Sequence, residues 1–303
     1  MPEINEVTLS VVIPAFNARD FIDISIESVL RQQVHVDEII IVDDGSTDDT
    51  ALYIQDKYPM VKLIQQNNGG VSKARNTGVA HSNSKYVSFL DADDEWRDDT
   101  AKTWKRVIKK ETGCKFLAAN YTIKDWNNKA SGFEYDVLID NPISIYSTNN
   151  NLKIWTGAVC IERETLNKLG GFDENLRNGE DIDLWLRLML SEKKIYYVAE
   201  PVAKYNFIND ESITSTINKV DFKNREKLIY KYLEEQIILT AGEKQEINNY
   251  FSNAYNNAFI NSLFELDFNR LIKILKLKNK FKLSKPSLIS VSNLLFTIIK
   301  KKK

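Results

Sequence analysis

Two hydrophobic periods alternate along the first hundred residues. Leu9–Ile13 is a short apolar run closed by Pro14, the pattern of a strand buried on both faces. Ile22, Ile26, Val29 and Leu30 then recur at helical spacing. Glu38–Val42 predicts a second buried strand, and Ser46-Thr47-Asp48 supplies helix N-caps after it. Val61–Gln65 predicts a third strand, Gly69-Gly70 leads into a helix over Val71–Ala80, Tyr86–Leu90 is a fourth strand, and Asp98–Lys110 returns to helix. Strands alternating with helices of this length imply a three-layer α/β/α sandwich on a mostly parallel sheet.

The middle of the chain is less periodic. Residues 125–151 are rich in Asn, Ser and Asp and read as a long loop region. Asn151–Ile161 predicts a strand, and Asp181–Ser191 a helix with Ile182, Trp185, Leu186 and Met189 on one side. Beyond Thr216 the pattern is helical and rich in Asn and Lys, without a strand. A break near 215 would separate a domain over 1–215 from a helical extension over 216–303.

Composition narrows the class. Of 303 residues 43% are hydrophobic, enough for a large buried core. Cys114 and Cys160 have no metal-ligand spacing, and His35 and His81 are the only histidines, so a zinc site of nitrogen and sulfur ligands has little to be built from. Two scattered thiols suit a reducing compartment. The N-terminus, Met-Pro-Glu-Ile-Asn-Glu, is acidic where a secretory signal is basic, and no apolar run reaches the ~18 residues that span a bilayer. A cytoplasmic location is the expectation.

The net charge of −1 conceals a division. Residues 268–303 hold 11 Lys/Arg and no Asp/Glu, which leaves 30 basic against 42 acidic residues in 1–267. Such a tail points to a polyanionic partner. Leu288, Val291, Leu295 and Ile298 fall on one helical face, and Lys300–Lys303 follow. A helix this short cannot cross a bilayer, but it can lie on the inner face of the cell membrane with its lysines on anionic headgroups. The alternative is a helix packed on the α/β domain with a solvated end. The tail matches no nucleic-acid-binding module, so no nucleic-acid partner is expected.

Chemistry-bearing residues gather where a parallel sheet binds ligands, beyond the carboxyl ends of its strands. Strand one ends in Pro14-Ala15-Phe16-Asn17, strand two in Asp43-Asp44-Gly45-Ser46, and strand four in Asp91-Ala92-Asp93-Asp94. Each alone is also a good turn sequence; three on one edge are harder to dismiss. A carboxylate after strand two can accept from a nucleobase or a ribose. Asp91 and Asp93 are hard oxygen ligands, suited to Mg²⁺ or Mn²⁺ shared with substrate phosphates. Gly69-Gly70 before a helix bearing Lys73 and Arg75 is either a phosphate-binding helix start or a flexible lead into an amphipathic helix. There is no G-x-G-x-x-G after strand one and no G-x-x-x-x-G-K-[ST] anywhere, which argues against a nicotinamide dehydrogenase and a P-loop ATPase.

Five blocks in order carry a specific resemblance. VVIPAFN (Val11–Asn17), IIIVDDGSTDDT (Ile39–Thr50), NNGGVSKARNTG (Asn67–Gly78), YVSFLDADDEW (Tyr86–Trp96) and GAVCIERETLNKLGGFDENLRNGEDIDLWLRL (Gly157–Leu188) resemble family 2 glycosyltransferases of the GT-A fold, such as those of bacterial cell-surface polysaccharides. The resemblance covers about residues 8–208. It implies that Pro14, Ala15 and Asn17 line the nucleoside pocket, that Asp43 contacts the base with Asp44 supporting its loop, and that Gly70 and Arg75 approach the nucleotide. It implies that Asp91 and Asp93 form the DxD pair holding Mn²⁺ or Mg²⁺. In the Glu180-Asp181 pair, Asp181 would be the general base, or alternatively an N-cap with Glu180 solvated. Trp155 and Trp185 would border the acceptor site, although aromatics at such positions also serve as core.

Members of the family invert the anomeric centre, which needs a base on the acceptor side and charge stabilisation on the leaving-group side. The chain has no transmembrane helix and no Q-x-x-R-W motif, so transfer of a single sugar is expected rather than processive synthesis. The resemblance favours a UDP-sugar, with a dTDP-sugar such as a rhamnose donor as runner-up. The acceptor would be a saccharide or a lipid-linked saccharide. Competing readings are a sugar nucleotidyltransferase, which needs a basic Gly-rich loop where PAFNARD stands, and a catalytically dead relative acting as a scaffold.

Overall fold

The computed structural model describes residues 7–130, 133–148, 152–206, 222–234, 237–264 and 268–283. The amphipathic segment expected at 288–299 and the lysines after it lie outside them. In chain order the elements are β1 (Leu9–Ala15), α1 (Ile22–Leu30), β2 (Glu38–Asp43), α2 (Thr50–Lys57), β3 (Lys62–Gln65), α3 (Val71–Ala80), β4 (Tyr86–Phe89), β5 (Glu95–Trp96) and α4 (Thr100–Lys110). There follow β6 (Phe116–Ile123), β7 (Asp125–Lys129), β8 (Val137–Asp140), α5 (Pro142–Thr148), β9 (Val159–Glu162), α6 (Arg163–Lys168), α7 (Glu180–Glu192), β10 (Lys194–Tyr205), α8 (Phe222–Leu233), α9 (Ala241–Phe264) and α10 (Phe268–Lys280).

The strands form one sheet in the order β3-β2-β1-β4-β9-β6-β10-β5, with β7 paired to β6 and β8 to β10. The first four run parallel, as their apolar runs imply. Beyond β4 the sheet is mixed. β9 runs antiparallel to both β4 and β6, while β6 and β10 are again parallel. The Asn-rich region expected to be loop holds β7, β8 and α5, and the strand expected over Asn151–Ile161 is confined to β9 after a 3-10 turn at Thr156–Ala158.

Alternation along β1 builds the layers. Val11 and Ile13 share a core with Ile22, Ile26 and Val29 of α1 and Trp104 and Val107 of α4. Val12 points to the other face and meets α3, where a Cβ on Gly78 would lie 2.3 Å from Val12 Cγ1. Helices therefore cover both faces, and glycine at 78 permits the close approach of α3 to β1. The opposite end of the sheet is tied by Glu38, whose carboxylate accepts from Ser10 Oγ (2.6 Å), the Asn83 amide (2.8 Å) and Asn83 Nδ2 (2.9 Å). Burial alone would raise this carboxyl, but the bonds from Ser10, Asn83 and Ser84 outweigh it and hold the pKa down to about 2.

The chain divides into two compact units, one of Met1–Pro142 with Asn150–Thr216 and one of Ile143–Asn149 with Ile217–Lys303. The second unit thus takes in a segment far upstream of the expected break near 215. Within it, Tyr146 of α5 stacks on Tyr250 of α9 at 5.1 Å, and Asn253 Nδ2 donates to the Ser147 carbonyl (2.7 Å). Its described elements are all helical. No described helix is long and apolar enough to cross a membrane.

Candidate active site

The carboxyl ends of β1, β2 and β4 meet at one edge, and the loops after β1 and β2 are bonded together. Asn17, at φ 49°, takes the left-handed conformation that Asn tolerates. Its amide donates to Ser46 Oγ (2.9 Å), and its Oδ1 accepts from the Thr47 amide (2.8 Å). The Asp44 amide donates to the carbonyl of Ala15 (2.8 Å), and Pro14 precedes it at the end of β1. Asp43 accepts from the Ser46 hydroxyl and amide. Asp43 and Asp44 are both buried.

Asp44 governs the start of α3. One carboxylate oxygen accepts from Gln66 Nε2 (2.7 Å) and the Gly69 amide (2.9 Å), the other from the Gly70 amide (2.7 Å). Gly70 sits at φ 89°, a conformation that favours glycine. Its amide was expected to approach a nucleotide, but it is committed to Asp44. Lys73, the other cation on this turn, is exposed.

One turn into α3, Arg75 joins segments far apart in sequence. Its Nη2 donates to Asp91 Oδ1 (2.7 Å) and its Nη1 to Glu180 Oε1 (3.3 Å), with only 5% of the side chain exposed. The guanidinium lies 5.2 Å from the Phe172 ring centre. Phe172 is itself seated by Asn76, which accepts from its amide (2.8 Å) and donates to its carbonyl (2.9 Å). Arg75 therefore spans the carboxylates after β4 and those opening α7.

The environment of these carboxylates is unfavourable to charge. Burial, and then the charge of Asp91, push Asp93 up to about 6. Burial and both neighbouring carboxylates raise Asp94 well above the usual range, and its Oδ2 is buried without a partner. Burial and then Asp181 push Glu180 up to about 7, against the pull of Arg75. Burial raises Asp181 as well, opposed by the Ile182 amide, which donates to it at 2.7 Å, and by Arg75. A crowd of oxygen ligands held at this cost is what a divalent cation would relieve. Among the described residues no group of three or more His, Cys, Asp or Glu is arranged to hold an ion alone.

One alternative and one expectation are corrected here. Helix α7 opens at Glu180 with Gly179 at the cap, at φ 82°. Asp181 is thus inside the first turn, not at the N-cap, and Glu180 is paired with Arg75 rather than solvated. Trp185 does not border a cleft. It is fully buried, stacked on Phe116 at 5.6 Å, because it lies on the face of α7 turned to the sheet. Trp155, by contrast, is half-buried against Tyr121 and Tyr205.

Other residues escaped the sequence reading. Asn206 donates from Nδ2 to the Asp93 carbonyl (3.0 Å) and from its amide to Asp94 Oδ1 (2.8 Å), pinning the loop after β4 to the end of β10. Arg187 bonds Asp183 and the carbonyls of Leu169 and Gly171, which fixes the approach to α7. Only Asp94 carried a local signal, as the third acid of Asp91-Ala92-Asp93-Asp94; the others act through tertiary contacts.

TuaG of Bacillus subtilis (strain 168), a glycosyltransferase assigned to teichuronic acid biosynthesis, is 31% identical over 239 residues, covering 77% of this chain and 91% of its own. The minor teichoic acid biosynthesis protein GgaA of the same organism is 28% identical, covering 76% of this chain and 53% of its own. Among solved structures, S. aureus TarS 1-349 in complex with UDP-GlcNAc superimposes with a TM-score of 0.73 at 18% identity, over 90% of this chain and 80% of that one. The mannosyltransferase PcManGT from Pyrobaculum calidifontis, in complex with GDP-Man and Mn2+, gives a TM-score of 0.62 at 14% identity, over 97% of this chain and 80% of its own. These two show a common fold. The sequence profile of Glycosyl transferase family 2 runs from residue 10 to 170, through β1, β2, the Asp91-Ala92-Asp93 turn and the seat of Trp155, and the chain belongs to that family.

Proposed function

We propose that the protein transfers one sugar from a UDP-sugar to a hydroxyl of a saccharide or lipid-linked saccharide acceptor, with inversion and with Mn²⁺ or Mg²⁺ bound, in the assembly of a cell-surface polysaccharide or glycolipid. The observation that carries this is Arg75, a single buried guanidinium bonded both to Asp91 on the donor side and to Glu180 on the acceptor side. The UDP-GlcNAc bound to TarS and the teichuronic acid assignment of TuaG support the substrate class.

The roles follow from chemistry. Pro14, Ala15, Asn17 and Asp43 line the place for the nucleoside, with Asp44 holding the Gly69-Gly70 turn beside it. Asp91 and Asp93 would hold the ion, which when bound would offset charge on the departing diphosphate. Asp181 takes the proton from the acceptor hydroxyl as its oxygen bonds to the anomeric carbon and the sugar–phosphate bond breaks on the opposite side. Burial raises its carboxyl towards the range where a general base works well near neutral pH. Glu180, held by Arg75, keeps the first turn of α7 in place.

A thermal-shift screen of UDP, GDP, dTDP and CMP, each with and without Mn²⁺, tests the donor reading, since a ligand of the native state raises apparent stability by mass action. UDP with Mn²⁺ should give the largest shift. A shift that ignores the metal for all four would overturn it. A second reading concerns the basic extension. Helix α10 exposes Ile272 (52%) and Leu275 (44%) beside the exposed Lys273 and Lys276, a face suited to anionic lipid headgroups. Co-sedimentation of the whole chain with anionic vesicles at low salt, lost at high salt, is the expected result; indifference to vesicles would refute it.

A further inference from the structure

Three half-buried aromatic side chains converge from separate segments. Tyr121 lies near the end of β6, Trp155 precedes the 3-10 turn, and Tyr205 closes β10. The Tyr121 and Trp155 ring centres are 4.9 Å apart at 42°, and those of Trp155 and Tyr205 are 5.4 Å apart at 68°. Tyr121 pairs with Ala203 in the parallel β6/β10 ladder, and Tyr205 stands two places on, hence on the same face.

The indole is seated rather than loosely placed. A Cβ on Gly157 would fall 2.4 Å from the Trp155 ring, so the ring lies against the backbone there. The same backbone is held from behind by Trp96, whose Nε1 donates to the Gly157 carbonyl (3.0 Å). The Ala158 amide donates to the Trp155 carbonyl (2.9 Å). The charge of Asp181 also reaches this cluster. Burial, then the charge of Asp181 and that of Tyr205, raise the Tyr121 phenol above its ordinary value. Asp181 acts on Arg75 in the same way, so one carboxylate feels both the donor-side arginine and the aromatic group.

We infer that Tyr121, Trp155 and Tyr205 form the acceptor platform, on which a pyranose ring stacks by its apolar C–H face while its hydroxyl meets Asp181. The inference rests on the transferase reading above and specifies its acceptor side: a sugar ring, not an open-chain polyol. A pyranose presents C–H groups on one face and hydroxyls around its rim. Flat aromatic rings bury the first without desolvating the second, and rigid rings lose little conformational entropy in doing so. Trp185 forms no part of the platform, being enclosed in the core.

Saturation-transfer NMR tests this with methyl glucoside, methyl galactoside, methyl N-acetylglucosaminide and glycerol, the last as a ring-free control. Each is titrated into wild type, Trp155→Ala, Trp155→Phe and Gly157→Val in the presence of the nucleotide and Mn²⁺ that give the largest thermal shift. At least one pyranoside should bind wild type with its ring C–H protons most strongly saturated, and glycerol should not. Trp155→Ala should weaken that binding by roughly tenfold, Gly157→Val should do the same by unseating the indole, and Trp155→Phe should recover part of it. The nucleotide-induced shift, measured on the same samples, should be unchanged and certifies the fold. An intact nucleotide shift with sugar binding unaltered in Trp155→Ala, or with no pyranoside bound by wild type, overturns the platform alone. Absence of any nucleotide shift in wild type overturns the donor reading and takes the platform with it.

Discussion

Replacing Glu180 by Gln should make the protein more stable at pH 8. Glu180 sits beside Asp181 and within reach of the Asp91 charge, only 13% exposed, and its pKa is pushed from 4.5 to about 7. The attraction of Arg75 is already included in that balance. A group whose folded pKa is raised contributes stability that is fully present below its unfolded pKa and lost as pH rises through the folded one. Wild type should therefore lose stability between about pH 5 and pH 8 through this carboxyl. At face value the shift amounts to about 3 kcal/mol. Glu180 and Asp181 titrate together, so part of that penalty stays with Asp181, and a gain of about 1–3 kcal/mol is expected for Glu180→Gln at pH 8. The amide oxygen still accepts from Arg75, so no buried donor is orphaned. Urea unfolding in EDTA at pH 5, 6.5 and 8 measures it, with an unchanged m-value as the control for compactness. A variant less stable than wild type at pH 8, or a difference that does not shrink towards pH 5, would refute the reasoning.

Other substitutions separate the roles. Asp181→Asn should leave the nucleotide-induced shift intact and lower transfer by roughly 10²–10⁴-fold, whereas equal losses in both would make Asp181 structural. Asp93→Ala should abolish the Mn²⁺-dependent part of that shift; normal transfer by the variant, or by wild type in excess EDTA, would sink the metal assignment. Glu38→Gln addresses the opposite end of the sheet. Its depressed carboxyl contributes stability above pH 4.5 that is lost as pH falls through about 2. The group is partly exposed, so screening reduces the contribution to about 1–2 kcal/mol. The variant should be weaker by that amount at pH 7 and equal to wild type near pH 2, as followed by urea unfolding.

The parallel half of the sheet was legible because β1, β2 and β4 are apolar runs ended by turn formers, a pattern dictated by burial on both faces. The mixed half was not. Asp125–Lys129 is an exposed edge strand with no apolar alternation, and β10 is interrupted by register shifts around Pro201. In the site, the acidic clusters announced themselves by type and spacing. What the spacing hid was tertiary: the Gly70 amide spent on Asp44, Arg75 reaching 105 residues along the chain to Glu180, and Asn206 clasping the loop after β4. The two tryptophans show the limit well. Trp155 and Trp185 look alike in sequence, and only the fold decides which is fully enclosed and which is half-buried.

The excursion of Ile143–Asn149 into the second unit bears on how this chain can be shortened. A protein cut after Thr216 would keep α5 but lose α9, leaving Tyr146 without Tyr250 and the Ser147 carbonyl without Asn253. Such a fragment would carry an orphaned apolar segment in the middle of its own sequence and would tend to self-associate. Trimming that preserves a monodisperse fragment must also replace residues 143–149 with a short polar bridge. By the same token, changes to the helical part are constrained in two places at once, because it is built from two separate stretches of the chain.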